Sequence, residues 1–300
     1  MKKRGSFHFF ALISIIGWSI AYVFTRMALR HFSPYSLGFL RYIIASAVLA
    51  VIACAFKISP PARKDWGLIA ASGATGFFLY MIALNTGSMT ETAATNSIII
   101  ATAPIMTTLL GRVLYGEKLV SAQWFAIAAE FMGIMILNVR NGSFSIGIGI
   151  FWLLLAASLL SVFNLLQRKL TKIYTGLQVS VYSIFTGTAM LSVFMKGAIE
   201  ETRNADVKYL FYVALLGIFS SAVSYVAWSM AIERAPHTSS ASNYMFLTPL
   251  LAAVMGFVIA GELPDSGTLI GGAVILSGVF LFNRAGRSPH APVNGKNTAV

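Results

Sequence analysis

The sequence predicts an all-α integral membrane protein, with ten transmembrane helices arranged as two inverted five-helix repeats. Three observations predict it. Hydrophobic residues make up 57% of the 300-residue chain and charged residues 11%. Ordinary soluble domains hold roughly 45–50% and about 25%, so this chain lacks the polar side chains to cover a soluble surface. Apolar runs close to the roughly 20 residues that a bilayer demands recur ten times. Finally, an offset of 145 residues lays one half of the chain on the other.

The runs extend from Phe7 to Leu29, Tyr35 to Phe56, Trp66 to Asn85, Thr92 to Tyr115 and Ala122 to Val139. They resume from Ile146 to Gln167, Leu177 to Met195, Val207 to Met230, Thr238 to Ala260 and Ser266 to Phe282. They are continuous, without the period-2 alternation of a membrane barrel, so they read as helices. Ser33-Pro34, Pro60-Pro61, Asn141-Gly142, Ala235-Pro236 and Leu263-Pro264 mark the connections. The longest, Lys196 to Asp206, reads as a charged surface stretch. The first run is too long for the core of a cleaved signal, and it reads as a retained span.

Charge orients the chain. With the N-terminus inside, 15 of the 22 Lys and Arg fall on the inner side, five on the outer, and Arg26 and Arg41 within spans. Cytoplasmic loops carry the excess of Lys and Arg. The bias therefore predicts a multi-pass inner-membrane protein with both termini cytoplasmic and an even number of spans. The net charge of +12 is an orientation signal, so no nucleic-acid partner is expected. Cys54 is the only cysteine, which excludes a disulfide scaffold. HExxH, CxxC, P-loop and GxSxG motifs are all missing, and His8, His31, His237 and His290 sit at span ends or in the tail. No enzyme, metal site or cofactor is predicted.

The offset places Tyr80 on Tyr225, Pro104 on Pro249, Gly111 on Gly256, Gly116-Glu117 on Gly261-Glu262, and Gly133 on Gly278. Residues 1–140 form one repeat, 146–285 the other, and 286–300 a cytoplasmic tail. Five spans per repeat is odd, so the second repeat enters the bilayer from the opposite side. Inverted repeats serve alternating access, in which two similar halves expose one central site to either side in turn.

Several stretches carry a resemblance: "GWSIAYVFTRMAL", "LGFLRYIIASAVLA", "TAATNSIIIATAPIMTTLLGRVLYGEKL" and "SSASNYMFLTPLLAAVMGFVIAGELPDSGTLIGGAVILSGVFL". Trp18, Arg41, the span-Pro-span-Gly-Glu pattern in both halves and the glycine-rich last span resemble the EamA-type branch of the drug/metabolite transporter superfamily. The resemblance covers residues 7 to 284. It implies a central cavity lined by helices 1, 3, 4, 6, 8 and 9. It also implies export or exchange of small solutes, with amino acids and related metabolites the leading class. Efflux of drug-like or toxic organic compounds is the alternative within transport. A non-transporting membrane protein, an enzyme or assembly subunit, is the alternative outside it. Small multidrug resistance proteins depend on a carboxylate in the first helix. This first helix has none, which disfavours proton-for-cation drug antiport.

Polar and aromatic groups within spans are the pocket candidates. They are Trp18 and Tyr22, which share a helix face, Arg41, the repeat mates Tyr80 and Tyr225, Trp228, and the amides Asn96, Asn164 and Asn243. Each has an alternative role as an interhelical tie or interfacial anchor. Arg41 could capture a substrate carboxylate or tie helix ends. Pro104 and Pro249 each remove a backbone hydrogen bond, and read as hinges or as static kinks whose freed carbonyls neighbouring threonines rebind. Glu130 is the only mid-span carboxylate, flanked by Ala126, Ala129 and Gly133 on one face. It reads as a packing or homodimer contact, or as a site for a coupling proton. The expected partners are a small-molecule solute and the lipid bilayer.

Overall fold

The computed structural model describes residues 6–115, 119–137, 139–140, 143–144, 147–234 and 243–285. Among these residues ten helices follow one another. They are α1 (Ser6–Ala28), α2 (Pro34–Ala55), α3 (Arg63–Ser88) and α4, in two pieces (Ala93–Ile100 and Ala103–Tyr115). Next come α5 (Ser121–Leu137), α6 (Ile148–Leu170), α7 (Gly176–Arg203) and α8 (Val207–Leu215, continuing to Arg234). The last two are α9 (Leu247–Ala260) and α10 (Ser266–Ala285). Seven are long and apolar enough to cross a membrane, while α5, α9 and α10 hold shorter apolar stretches. Val51, Phe125, Phe131 and Val258 point outward, as a surface facing acyl chains requires. The chain is a multi-pass membrane protein.

Helix starts follow local chemistry. Ser33 accepts from the Ser36 amide at 3.2 Å and Pro34 takes the first helical position of α2, where its missing N–H costs nothing. Thr92 caps α4 in the same way, through the Thr95 amide at 3.1 Å.

Two departures from the sequence reading are physical. The charged stretch after Met195 is not a loop: a 3₁₀ turn (Ser192–Phe194) carries α7 into a further helix, Met195–Arg203. Ala198 on it is buried, and Glu201 accepts from the Ser33 amide (2.8 Å) and the Ser36 hydroxyl (2.9 Å). A carboxylate at the start of α2 is favoured by the helix dipole, which gives this polar stretch a reason to fold. Helix α5 ends at Leu137, and Val139–Arg140 (β1) pairs antiparallel with Ser143–Phe144 (β2). The α9 span begins to be described at Asn243, so Thr238 and its neighbours lie outside the described residues, as do Gly116-Glu117 and the tail 286–300.

The repeat is written into helix irregularities. Helix α3 contains a π-helical turn at Ala74–Phe78, and α8 one at Leu216–Val223. The 145-residue offset carries Ala74 and Phe78 onto Phe219 and Val223, inside the second π turn. Helix α4 breaks at Ala101-Thr102, just before Pro104. Its counterpart α9 changes from a 3₁₀ turn (Asn243–Phe246) to α-helix at Leu247, which is the matching position.

The threonines near Pro104 do not rebind the carbonyl that the proline frees, that of Ile100. Thr102 bonds to Ile99 O (2.7 Å), Thr107 to Ala103 O (2.8 Å) and Thr108 to Pro104 O (3.1 Å). Ser161 of α6 donates to Ala103 O at 2.9 Å, tying the break to a neighbouring helix.

Candidate functional site

Six of the nine pocket candidates meet. Trp18 of α1 lies 5.6 Å from the Tyr225 ring and 5.2 Å from Trp228, centre to centre, both on α8. These separations suit edge-to-face and tilted aromatic pairs. Tyr22, one turn beyond Trp18, and Tyr80 of α3 are buried in the same apolar cluster. Arg41 of α2 is only 5% exposed; its Nε donates to Ser221 Oγ at 2.7 Å, and its guanidinium carbon lies 5.6 Å from the Tyr42 ring centre. The phenols of Tyr22, Tyr42, Tyr80 and Tyr225 all lie within electrostatic reach of that guanidinium.

The two π turns build this centre. Phe77, from the turn in α3, lies 5.4 Å from Tyr42, 5.2 Å from Phe163 and 5.6 Å from Tyr225. Ser221, Arg41's acceptor, belongs to the turn in α8. π turns inside α-helices recur at functional sites. Here each aims a side chain inward from its half of the chain.

Two of the amides, Asn96 and Asn164, find partners elsewhere. Asn96 is fully buried, with Nδ2 donating to Ser88 Oγ at 2.8 Å and Oδ1 without a partner. Asn164 donates from α6 to Thr107 Oγ1 of α4 at 3.3 Å. The Asn243 side chain lies outside what the structure describes.

Glu130 also stands apart. It is 4% exposed, and its Oε1 has no hydrogen-bond partner. Helix α5 packs along α10, and a Cβ on Gly278 would come within 2.9 Å of Glu130 Cγ. The carboxyl is therefore covered by α10 of its own chain, not left open to a second copy.

At the end of the bundle away from the N-terminus lies a polar knot that the sequence alone does not reveal. Arg26 Nε pairs with Glu262 Oε1 at 2.7 Å, and the guanidinium also donates to the Glu91 carbonyl. Glu262 Oε2 accepts from the Ala93 amide at 2.8 Å, at the start of α4. Gly261 makes this possible. It closes α9 with φ +66°, a left-handed conformation suited to glycine, and its amide donates to Phe257 O. The Glu262 amide folds back onto Gly256 O at 3.0 Å. The Gly-Glu dipeptide, repeated in the sequence, is the available signal: here Gly261 ends the helix and Glu262 is turned back across it. A cavity of about 260 Å³ opens beside the knot, bounded by Arg26, Arg30, Ser88 and Glu262 with Met27, Leu29 and Met89.

Comparison with known proteins agrees with this architecture. The EamA-like transporter family model matches residues 5–139 and again 147–284. A protein of Streptantibioticus cattleyicolor named a probable terminal-alkyne amino-acid exporter is 31% identical over 287 residues, spanning 95% of this chain and 96% of its own. A Salmonella typhimurium protein named a probable amino-acid metabolite efflux pump is 21% identical, over 91% of this chain and 93% of its own. A crystal structure aligns with TM-score 0.65 at 20% identity, covering 95% of this chain and all of the other; that likeness concerns the fold alone. With two matches that between them span nearly the whole chain, the protein belongs to the EamA-like transporter family and is a membrane transporter, not an enzyme.

Proposed function

We propose that the protein is a secondary-active exporter or exchanger of small metabolites, amino acids or related compounds foremost. It would work by alternating access between two inverted five-helix repeats, in an inner membrane with both termini cytoplasmic. One observation carries the reading: Trp18, Tyr22, Arg41 and Tyr80 of the first half converge with Tyr225 and Trp228 of the second. A solute held between the halves touches both, so it can be handed from one side to the other as they rock. The matched breaks before Pro104 and Pro249 give helices α4 and α9 equivalent places to bend. Two relatives named as amino-acid exporter and amino-acid metabolite efflux pump support the solute class.

The test is counterflow in proteoliposomes holding the purified chain, against a panel of amino acids, amines and drugs. At least one amino acid or close derivative is expected to exchange, and Trp18→Ala and Trp228→Ala to cut its rate more than tenfold. Exchange of no solute at any pH would overturn the reading. Because Glu130 stands apart from the converging residues, Glu130→Gln is expected to leave the pH dependence of exchange unchanged. A flattened profile would assign it the coupling proton.

A further inference from the structure

We propose that the central site selects solutes bearing a carboxylate and turns away organic cations, with Arg41 as the group that takes the carboxylate. The proposal rests on the transport reading above and narrows it to a chemical class.

A guanidinium does not lose its proton in proteins, so Arg41 brings a full positive charge into the middle of an apolar bundle. Charges placed there pair with an opposite charge or line a pathway. Among the described residues no carboxylate pairs with it. Glu262 is taken by Arg26 and Asp206 by Lys208, and Glu130 lies on the α5–α10 seam. Among the described residues Arg41 has one hydrogen bond, from Nε to Ser221 Oγ, and the face of Tyr42. A guanidinium has five N–H donors in a planar fork shaped to grip a carboxylate with two parallel bonds. That capacity is largely unspent.

The surroundings fit the same ligand. Tyr22, Tyr42, Tyr80 and Tyr225 bring neutral hydroxyls within electrostatic reach of the guanidinium. Hydroxyls can donate to a carboxylate as readily as they accept from an ammonium group. Trp18 and Trp228 add aromatic faces for the rest of the solute. An α-amino acid can therefore place its carboxylate on Arg41 and its ammonium against ring faces and hydroxyls. An amine of the same size meets Arg41's charge with no described acid to offset it.

A purely structural Arg41 is the rival account. Its bond to Ser221 ties α2 to the π turn of α8, and Gly217 in that turn packs against the Arg41 carbonyl, since a Cβ there would sit 2.9 Å from it. A structural tie would affect all solutes alike, whereas a carboxylate receptor affects them by class.

The experiment uses the full-length protein in proteoliposomes and matched sets of three solutes: a neutral amino acid, its amide and its decarboxylated amine. The amino acid is expected to exchange about 30-fold faster than either partner, the range set by one charge-assisted hydrogen-bonded contact. Arg41→Gln should abolish that preference, and Arg41→Lys should keep part of it. Exchange of amine or amide within threefold of the amino acid in the unmodified protein would overturn the proposal, even if Arg41 variants fail to fold. Exchange of nothing would sink the transport reading instead. In that event melting temperature decides: protection by the amino acid but not by its amine supports the carboxylate site, and protection by neither overturns it.

Discussion

Gly73→Leu is expected to keep the folded protein from accumulating in the membrane. Helices α3 and α7 cross with Gly73 against Gly187, and backbone fills the space where a side chain would go. A Cβ on Gly73 would lie 2.6 Å from Ser183 O and 2.8 Å from Gly187 N, and one on Gly187 would lie 2.6 Å from Phe77 Cβ. Flexible side chains can yield at such distances, but two helix backbones cannot. The Ser72–Ser183 hydroxyl bond at 2.9 Å holds the same crossing. Small residues let membrane helices approach this closely, and dispersion and interhelical hydrogen bonds then hold them. Overpacking a rigid contact costs about 1–3 kcal/mol and occasionally more, and a leucine forced between two backbones belongs at the upper end. The crossing also sits directly before the π turn that presents Phe77, so partial folding would still misplace that ring against Tyr225. Gly67→Ala is the matched control: nothing lies within 4 Å of its Cβ position, and normal stability is expected. Monodispersity after detergent extraction reads both variants. A well-behaved Gly73→Leu protein would mean that α3 and α7 can slide apart without loss.

Glu262→Ala is expected to lower the melting temperature by roughly 5 °C, about 3 kcal/mol. The glutamate performs two tasks at once. It balances Arg26, whose side chain is 25% exposed while its own is 14%, and it accepts the first amide of α4 through Ala93. Removing it leaves a partly buried guanidinium short of a counter-charge and a helix start short of an acceptor. Arg26→Gln should cost less, because Glu262 keeps the α4 amide. The order of the two losses, measured by thermal unfolding in detergent, is the check. Equal or reversed losses would show that the capping bond contributes little. Gly261→Ala should resemble Glu262→Ala in direction, since the left-handed turn aims the glutamate.

Much of this protein is legible in its amino-acid sequence, and the limits have physical causes. The spans are visible because bilayer thickness sets a length that only apolar runs meet. Trp18, Arg41, Tyr80 and Tyr225 stand out because large amphipathic or charged groups are costly in hydrocarbon and need a reason to be there. Phe77 and Phe163 do not stand out: in a chain this apolar, one more phenylalanine carries no signal, and only packing shows which ones ring the centre. Asn96 and Asn164 share the polarity of the other pocket candidates, but each bonds a nearby hydroxyl, at Ser88 and Thr107, which no local pattern announces. The pairing of Arg26 with Glu262 joins opposite ends of the sequence, and no local pattern encodes it. The extension of α7 is hidden because its polar residues suggest water, whereas Glu201 needs a helix to reach the start of α2. The π turns depend on how neighbouring helices pull on a backbone register, which composition does not record.

Those turns have a mechanical meaning of their own. A π turn holds one residue more than an α turn, and each residue of an α-helix advances the chain by about 100° around its axis. If the surplus residue were expelled from α3 or α8, everything beyond it would swivel by about that angle. In α3 the swivel would move Phe77 relative to Tyr42, and in α8 it would move Ser221 relative to Arg41. Both halves of the molecule thus keep a stored quarter-turn at matching places, wound into the two helices whose side chains meet at the centre.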